Sequence, residues 1–149
     1  MARYSVSHQT AAGSDLGLIN LAGAATIRVN VYDVLLGSDA TPADQAGEFV
    51  LNRTTATGGG GTSLTEVPLD PLTVAATGAA TGGTFTTQPT DTANTELLMI
   101  AFNQRATFRW VAAPGSELIS TASANNGLFL RSVAHSATPN INATLMWFE

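Results

Sequence analysis

Apolar and polar positions alternate with a period of two repeatedly along this chain, and no stretch of ten or more residues follows a helical period. In TIRVNVYDVLLG (residues 26–37), Ile27, Val29, Val31 and Leu35 fall on one side of an extended backbone. Arg28, Asn30, Tyr32 and Val34 fall on the other. The pattern predicts a strand with one face in a core and the other wet or covered by a partner. Further strands are predicted at EFVLNRTTA (48–56), ELLMIAFN (96–103), ATFRWVA (106–112), LIST (118–121), GLFLRSVAH (127–135) and NATLMWFE (142–149). The segments at 96–103 and 106–112, separated by Gln104 and Arg105, read as a tight hairpin or as one long bent strand.

Turn chemistry separates these elements. GSDATPADQAG (37–47), the Pro-Gly pair of APGSE (113–117), Asn125-Asn126-Gly127 and Pro139-Asn140 all break regular structure. GGGG (58–61) is a flexible tip, and residues 62–72 admit only a short edge strand because Pro68 and Pro71 cannot donate to a ladder. One further strand fits around Phe85. The sum is about eight strands, which predicts an all-β fold: an antiparallel two-sheet β-sandwich, jelly-roll-like. Its expected core contains Ile27, Val29 and Val31, then Phe108 and Trp110, which share a side with Ala106, and Trp147 on a closing strand. Residues 26–149 form the single sandwich domain. Residues 1–25 read as an N-terminal arm or extension, since Gly13, Gly17 and Gly23 argue against a helix over Leu16, Ile19 and Leu21.

At 149 residues one core suffices. Charged residues are 11% of the chain, against about 25% in typical soluble proteins, and lysine is absent. Interface centres are similarly depleted in charge, so the composition fits a surface covered by neighbours. A genome that favours Ala, Gly and Arg over Lys explains the same bias. With six arginines and a net charge of -5, no basic patch can track a phosphate backbone, and nucleic acid is not an expected partner. There is no cysteine, hence no disulfide or thiolate metal site. The first residues lack an apolar signal region and the run LLMIAF (97–102) is far too short to span a bilayer, so neither membrane nor secretion is expected.

Reaction chemistry is sparse. Nucleophilic catalysis needs a base beside a hydroxyl, and the histidines are His8, near the N-terminus, and His135, beside Ser136; ordinary solvent-facing or capping roles suit both. GSDLG (13–17) places its serine one position early for a nucleophile elbow. Asp39, Asp44 and Glu48 share a loop but lack the spacing of a calcium loop, and Asp33, Asp70 and Glu96 stand in unrelated contexts. The sequons at Asn52 and Asn142 have no secretion signal to give them meaning. No catalytic residue, metal or cofactor is therefore expected. What remains is the arginines. Arg109 projects from the face opposite Phe108 and Trp110, where a guanidinium pairs two-pronged with a carboxylate; Glu96 and Glu117 are the nearby partners for Arg105 or Arg109. These four residues are expected to organise a loop or an oligomer contact.

ATPADQAGEFVLNRTTATG (40–58), VPLDPL (67–72), NQRATFRWVAAPGSELI (103–119) and NNGLFLR (125–131) together resemble a group of small, lysine-poor proteins encoded by tailed bacteriophages. NQRATFRW is the most specific block, and the similarity runs from about residue 27 to the C-terminus without residues 1–25. The resemblance implies a β-sandwich head protein that decorates or cements a capsid built by a separate major capsid protein, as a homotrimer, made in the host cytoplasm and resident on the virion surface. The alternative is a tail- or fibre-associated jelly-roll module that binds a glycan by stacking Trp110 or Trp147 on a sugar.

Overall fold

The computed structural model describes residues 1–12, 16–83, 85–135 and 138–149. They contain β1 (Arg3–Ala11), β2 (Leu16–Ala22), β3 (Asn30–Ala40), β4 (Ala46–Ala56), β5 (Thr62–Ser63), β6 (Val67–Pro68), β7 (Ala79–Gly82), β8 (Thr90–Asn103), β9 (Thr107–Val111), β10 (Leu118–Ile119), β11 (Gly127–Ala134) and β12 (Asn140–Phe148). Eight of these are five residues or longer, and no helix occurs among the described residues. Residues 13–15 of GSDLG and Ser136 beside His135 lie outside the described residues.

The strands form two antiparallel sheets, a β-sandwich. Sheet I runs β10-β3-β12-β1-β6, with β9 paired to β3 beyond β10; sheet II runs β5-β7-β2-β11-β4-β8. The pairing is nested: β1 with β12, β2 with β11, β3 with β9 and β10, β4 with β8. Successive rungs alternate between the sheets, so the chain is one long antiparallel ribbon folded over on itself. Residues 57–83 and 85–89, at the tip of that ribbon, return along its open side, where β6 pairs with β1 and β7 with β2. The short Pro-containing edge strand is thus β6.

Two expectations about this architecture are corrected. The segments at 96–103 and 106–112 are not a hairpin: β8 pairs with β4 in sheet II and β9 with β3 in sheet I, so the chain changes sheet at Gln104. Gln104 is buried, and its backbone N–H donates to the Gln45 carbonyl at 2.9 Å while its Oε1 accepts from the Ala43 N–H at 3.0 Å. Nor do residues 1–25 form an arm. β1 lies inside sheet I between β12 and β6, and β2 lies inside sheet II with Leu18, Ile19 and Leu21 in the core. The glycines weaken a helix, but a strand covered on both faces has no alternation to display and is hidden from a period-two reading.

Inward-facing side chains of both sheets fill the space between them. Val29, Val31 and Trp147 are fully buried as expected, and Trp147 stacks on Tyr4 at 5.6 Å. Phe108 and Trp110 are half-buried and pack against the core. Ile27 is a correction: it is half-buried, outside the core cluster, and held in a single bridge to Ala24 ahead of β3. Leu35 and Val34 also exchange the expected faces. Val31 and Asp33 stand opposite the successive residues Trp147 and Met146, so Tyr32 is an extra residue, a bulge that reverses the phase of everything after it. Val34 and Leu36 therefore point inward and are buried, and Asp33 and Leu35 point outward.

Candidate functional site

The Tyr32 bulge places a carboxylate on the outer face of sheet I. Directly opposite Asp33 on β9 is Val111, and Arg109, two residues along the same face, is its diagonal neighbour. Arg109 Nε donates to Asp33 Oδ1 at 3.1 Å and to Oδ2 at 3.2 Å, and Nη2 donates to Oδ2 at 2.6 Å. This is the two-pronged contact expected of Arg109, with a different partner. The Asp33 side chain is 3% exposed and that of Arg109 59%, so the guanidinium roofs the carboxylate and turns its own outer edge to solvent. The hydrogen bond and charge of Asp33 raise the Arg109 pKa above its usual value. The pair neutralises a buried charge beneath an exposed face.

The other proposed contacts are not assembled there. Glu117 accepts from the Gly115 N–H at 3.2 Å within its own turn, and Glu96 lies on β8 of the other sheet, opposite Asn52. Arg105 is exposed at the crossing between sheets, where its backbone N–H donates to Asn103 Oδ1 at 2.9 Å. Of the four residues, only Arg109 makes a tertiary charge contact here. Asp33 was missed because its partner is 76 positions away in sequence and its face depends on one extra residue.

Around the pair, the outer face of sheet I is open and lightly charged. Ser7, Gln9, Asn142 and Thr107 are exposed on it, and Ser7 Oγ and Thr144 Oγ1 bond each other at 2.8 Å across β1 and β12. Val111 is 55% exposed at one margin; at the other, Val67 lies opposite outward-facing Ser5 and is also exposed. Arg3 lies over the Tyr32 ring at 5.9 Å, and Tyr32 stacks on Phe148. Such a face suits docking against another flat surface, with the aromatic and arginine content found at interface centres.

Several other polar groups have local partners, and some lie buried. Asp39 accepts from Gln9 Nε2, and Asp44 Oδ1 accepts from Asn103 Nδ2 at 2.7 Å, so the acidic residues of that loop tie strands together. Among the described residues no three His, Asp or Glu side chains cluster as metal ligands would. His8 and His135 are half-buried. His8 Nε2 and both ring nitrogens of His135 are buried without hydrogen bonds, the His135 ring lies edge-on to Phe49 at 4.8 Å, and burial lowers both pKa values. Both tryptophans pack inward, Trp147 completely buried and Trp110 partly so.

The chain matches no protein-family model, and neither curated proteins nor solved structures give a match.

Proposed function

We propose that this is a non-enzymatic structural protein of a tailed-phage virion, which binds the outside of the capsid as a decoration or cement protein, as a homotrimer. One observation carries the proposal: the outer face of sheet I is broad, exposed and lightly charged, with its one buried carboxylate already neutralised by Arg109. A face with these properties loses little on desolvation when it meets another protein. We further read the sandwich as a jelly roll, because the nested pairing of β1 through β4 with β12, β11, β9–β10 and β8 is that of a ribbon rolled into two sheets. Shell proteins are among the common users of that architecture, and this likeness is an analogy of fold. The sequence blocks that resemble phage head proteins support the same reading. Attachment of many copies to a repeating shell makes a modest contact per copy sufficient.

The test is co-sedimentation with shells purified without the protein, together with a protein inventory of intact particles from the parent virus. The expected result is saturable binding to shells and a fixed copy number in particles. Absence from both sinks the proposal. The glycan-binding alternative is left with the partly exposed Trp110, since Trp147 is wholly buried.

A further inference from the structure

The outer side of sheet II, beneath the segment that returns over it, is lined with polar groups that do not bond one another. Thr81 on β7, Asn20 on β2, Phe129 on β11 and Asn52 on β4 stand opposite each other in one outward row. Thr54, two residues along β4 from Asn52, shares its face. Asn20, Asn52 and Thr54 are buried, and Asn20 Nδ2 and Oδ1, Asn52 Oδ1, Thr54 Oγ1 and Thr81 Oγ1 have no hydrogen-bond partner in the protein. Phe129 divides these groups into two pairs, and Phe85 of the returning segment meets its ring edge to face at 5.8 Å. Asn20 and Thr81 form one pair, on adjacent strands; Asn52 and Thr54 form the other, on a single strand.

The spacing of each pair suits a single bridging molecule. Directly opposed residues on adjacent strands have their Cβ atoms about 5 Å apart, and residues two apart along a strand are separated by about 7 Å. Short polar side chains at such distances are spanned by one small molecule placed between them. Burying an amide or hydroxyl without a partner costs free energy, and native proteins meet that cost with ordered water that makes two to four hydrogen bonds. The donors and acceptors select the same ligand. Asn20 offers one donor and one acceptor, the two threonine hydroxyls serve as either, and Asn52 offers its Oδ1, because its Nδ2 already donates to Asp91. A cation would leave Asn20 Nδ2 unmet, and an anion would leave both amide oxygens unmet. Only a neutral molecule that donates and accepts serves them all. The Asp91–Arg131 pair on this side is neutral as a unit, at 3.2 Å.

We infer that sheet II carries two structural water-binding sites under its cover, one on each side of the Phe85–Phe129 contact. The first water bridges the Asn20 amide and Thr81 Oγ1 and so ties β7 to β2 through their side chains as well as their backbones. The second bridges Asn52 Oδ1 and Thr54 Oγ1 beside the carboxylate of Asp91. The cover is thus seated through a polar, hydrated layer with one aromatic contact in its middle, whereas the space between the two sheets is filled by apolar side chains. Water binding here does not depend on attachment to a shell.

Crystallography of the full chain at a resolution that shows ordered water tests both sites, with Thr81→Val and Thr54→Val each removing one hydroxyl at nearly constant volume. The wild type is expected to show one water within about 2.7–3.2 Å of Asn20 and Thr81, and another at the same range from Asn52 and Thr54. Thr81→Val loses the first and keeps the second; Thr54→Val does the reverse. The wild-type map decides even where a variant fails to fold. Absence of either water from the wild type, an ion in its place, direct bonds between the paired side chains, or survival of both waters in both variants overturns the inference. Thermal unfolding checks the first site in solution. Asn20→Leu combined with Thr81→Val should melt above Thr81→Val alone, because the amide that the single variant strands is gone. A double variant whose loss is the sum of the two single losses also overturns it.

Discussion

The outer faces of the two sheets meet opposite fates. On sheet II, the row Thr81, Asn20, Phe129, Asn52 faces away from the core, yet Asn20, Phe129 and Asn52 are buried, because the returning segment 57–89 lies over them. Phe85 from that segment meets Phe129 edge to face at 5.8 Å, and a Cβ at Gly17 would come within 2.6 Å of the Phe85 ring. Asp91, at the start of β8, accepts from Asn52 Nδ2 at 2.8 Å and pairs with Arg131 at 3.2 Å, while the Asn20 amide is buried on this side without a hydrogen bond. Among the described residues sheet I has no such cover: its outward row Ser7, Thr144, Leu35, Arg109 remains half-buried or exposed. One sheet completes itself with its own chain, and the other keeps its outer side available.

The sharpest way to break this contrast is truncation on each face. Phe129→Ala removes a fully buried ring from under the segment 57–89 and should cost about 3–5 kcal/mol, whereas Val111→Ala on the open face should stay within about 0.5 kcal/mol. Urea unfolding of the two variants measures both. Equal losses would mean that the outer face of sheet I is packed as tightly as that of sheet II, and the contrast would be lost.

A second, smaller effect separates the interior from both faces. The chain has two histidines, and burial lowers the pKa of each. The folded protein therefore favours neutral imidazole, while the unfolded chain takes up protons near the ordinary value of about 6.5. Unfolding binds protons in that window, so the histidine contribution is complete above about pH 6.5 and is lost as pH falls through the folded values. The thermal midpoint should hold steady from pH 8 to 7 and decline toward pH 5, with a shallower decline in His135→Leu. A midpoint independent of pH over that range removes the histidines from the account.

The contrast between faces was only partly legible in the sequence. Strand positions could be read because most strands border solvent on one side and alternate accordingly. LGLINLA, residues 16–22, escaped because β2 is buried on both sides; its nearly continuous apolar run was the available signal. The phase of β3 escaped for another reason. VYDVLL is strand-like in either register, and only the pairing with β12 reveals that Tyr32 is supernumerary. That single residue decides that Asp33 points outward, and hence that Arg109 finds its carboxylate on a neighbouring strand. The cover over sheet II left no local mark, since residues 57–89 have a loop composition and their role depends on where β7 and Phe85 dock.

The arginines supply the finest test. Arg109 and Arg105 are both exposed and stand four positions apart, but only Arg109 covers a buried carboxylate. Arg109→Ala should lower the thermal midpoint, because Asp33 is left desolvated with its cation gone. Adding Asp33→Asn should recover much of the loss, since the stranded charge is removed with its partner. The exposure of the guanidinium keeps this effect well below that of Phe129→Ala. Arg105→Ala, with no such dependent, should leave the midpoint within the range of ordinary surface changes, about 0.5 kcal/mol. If the two single variants melt alike, or if the double variant melts below Arg109→Ala, then the roof over Asp33 is not what this arginine contributes, and the face of sheet I must be held neutral by some other arrangement.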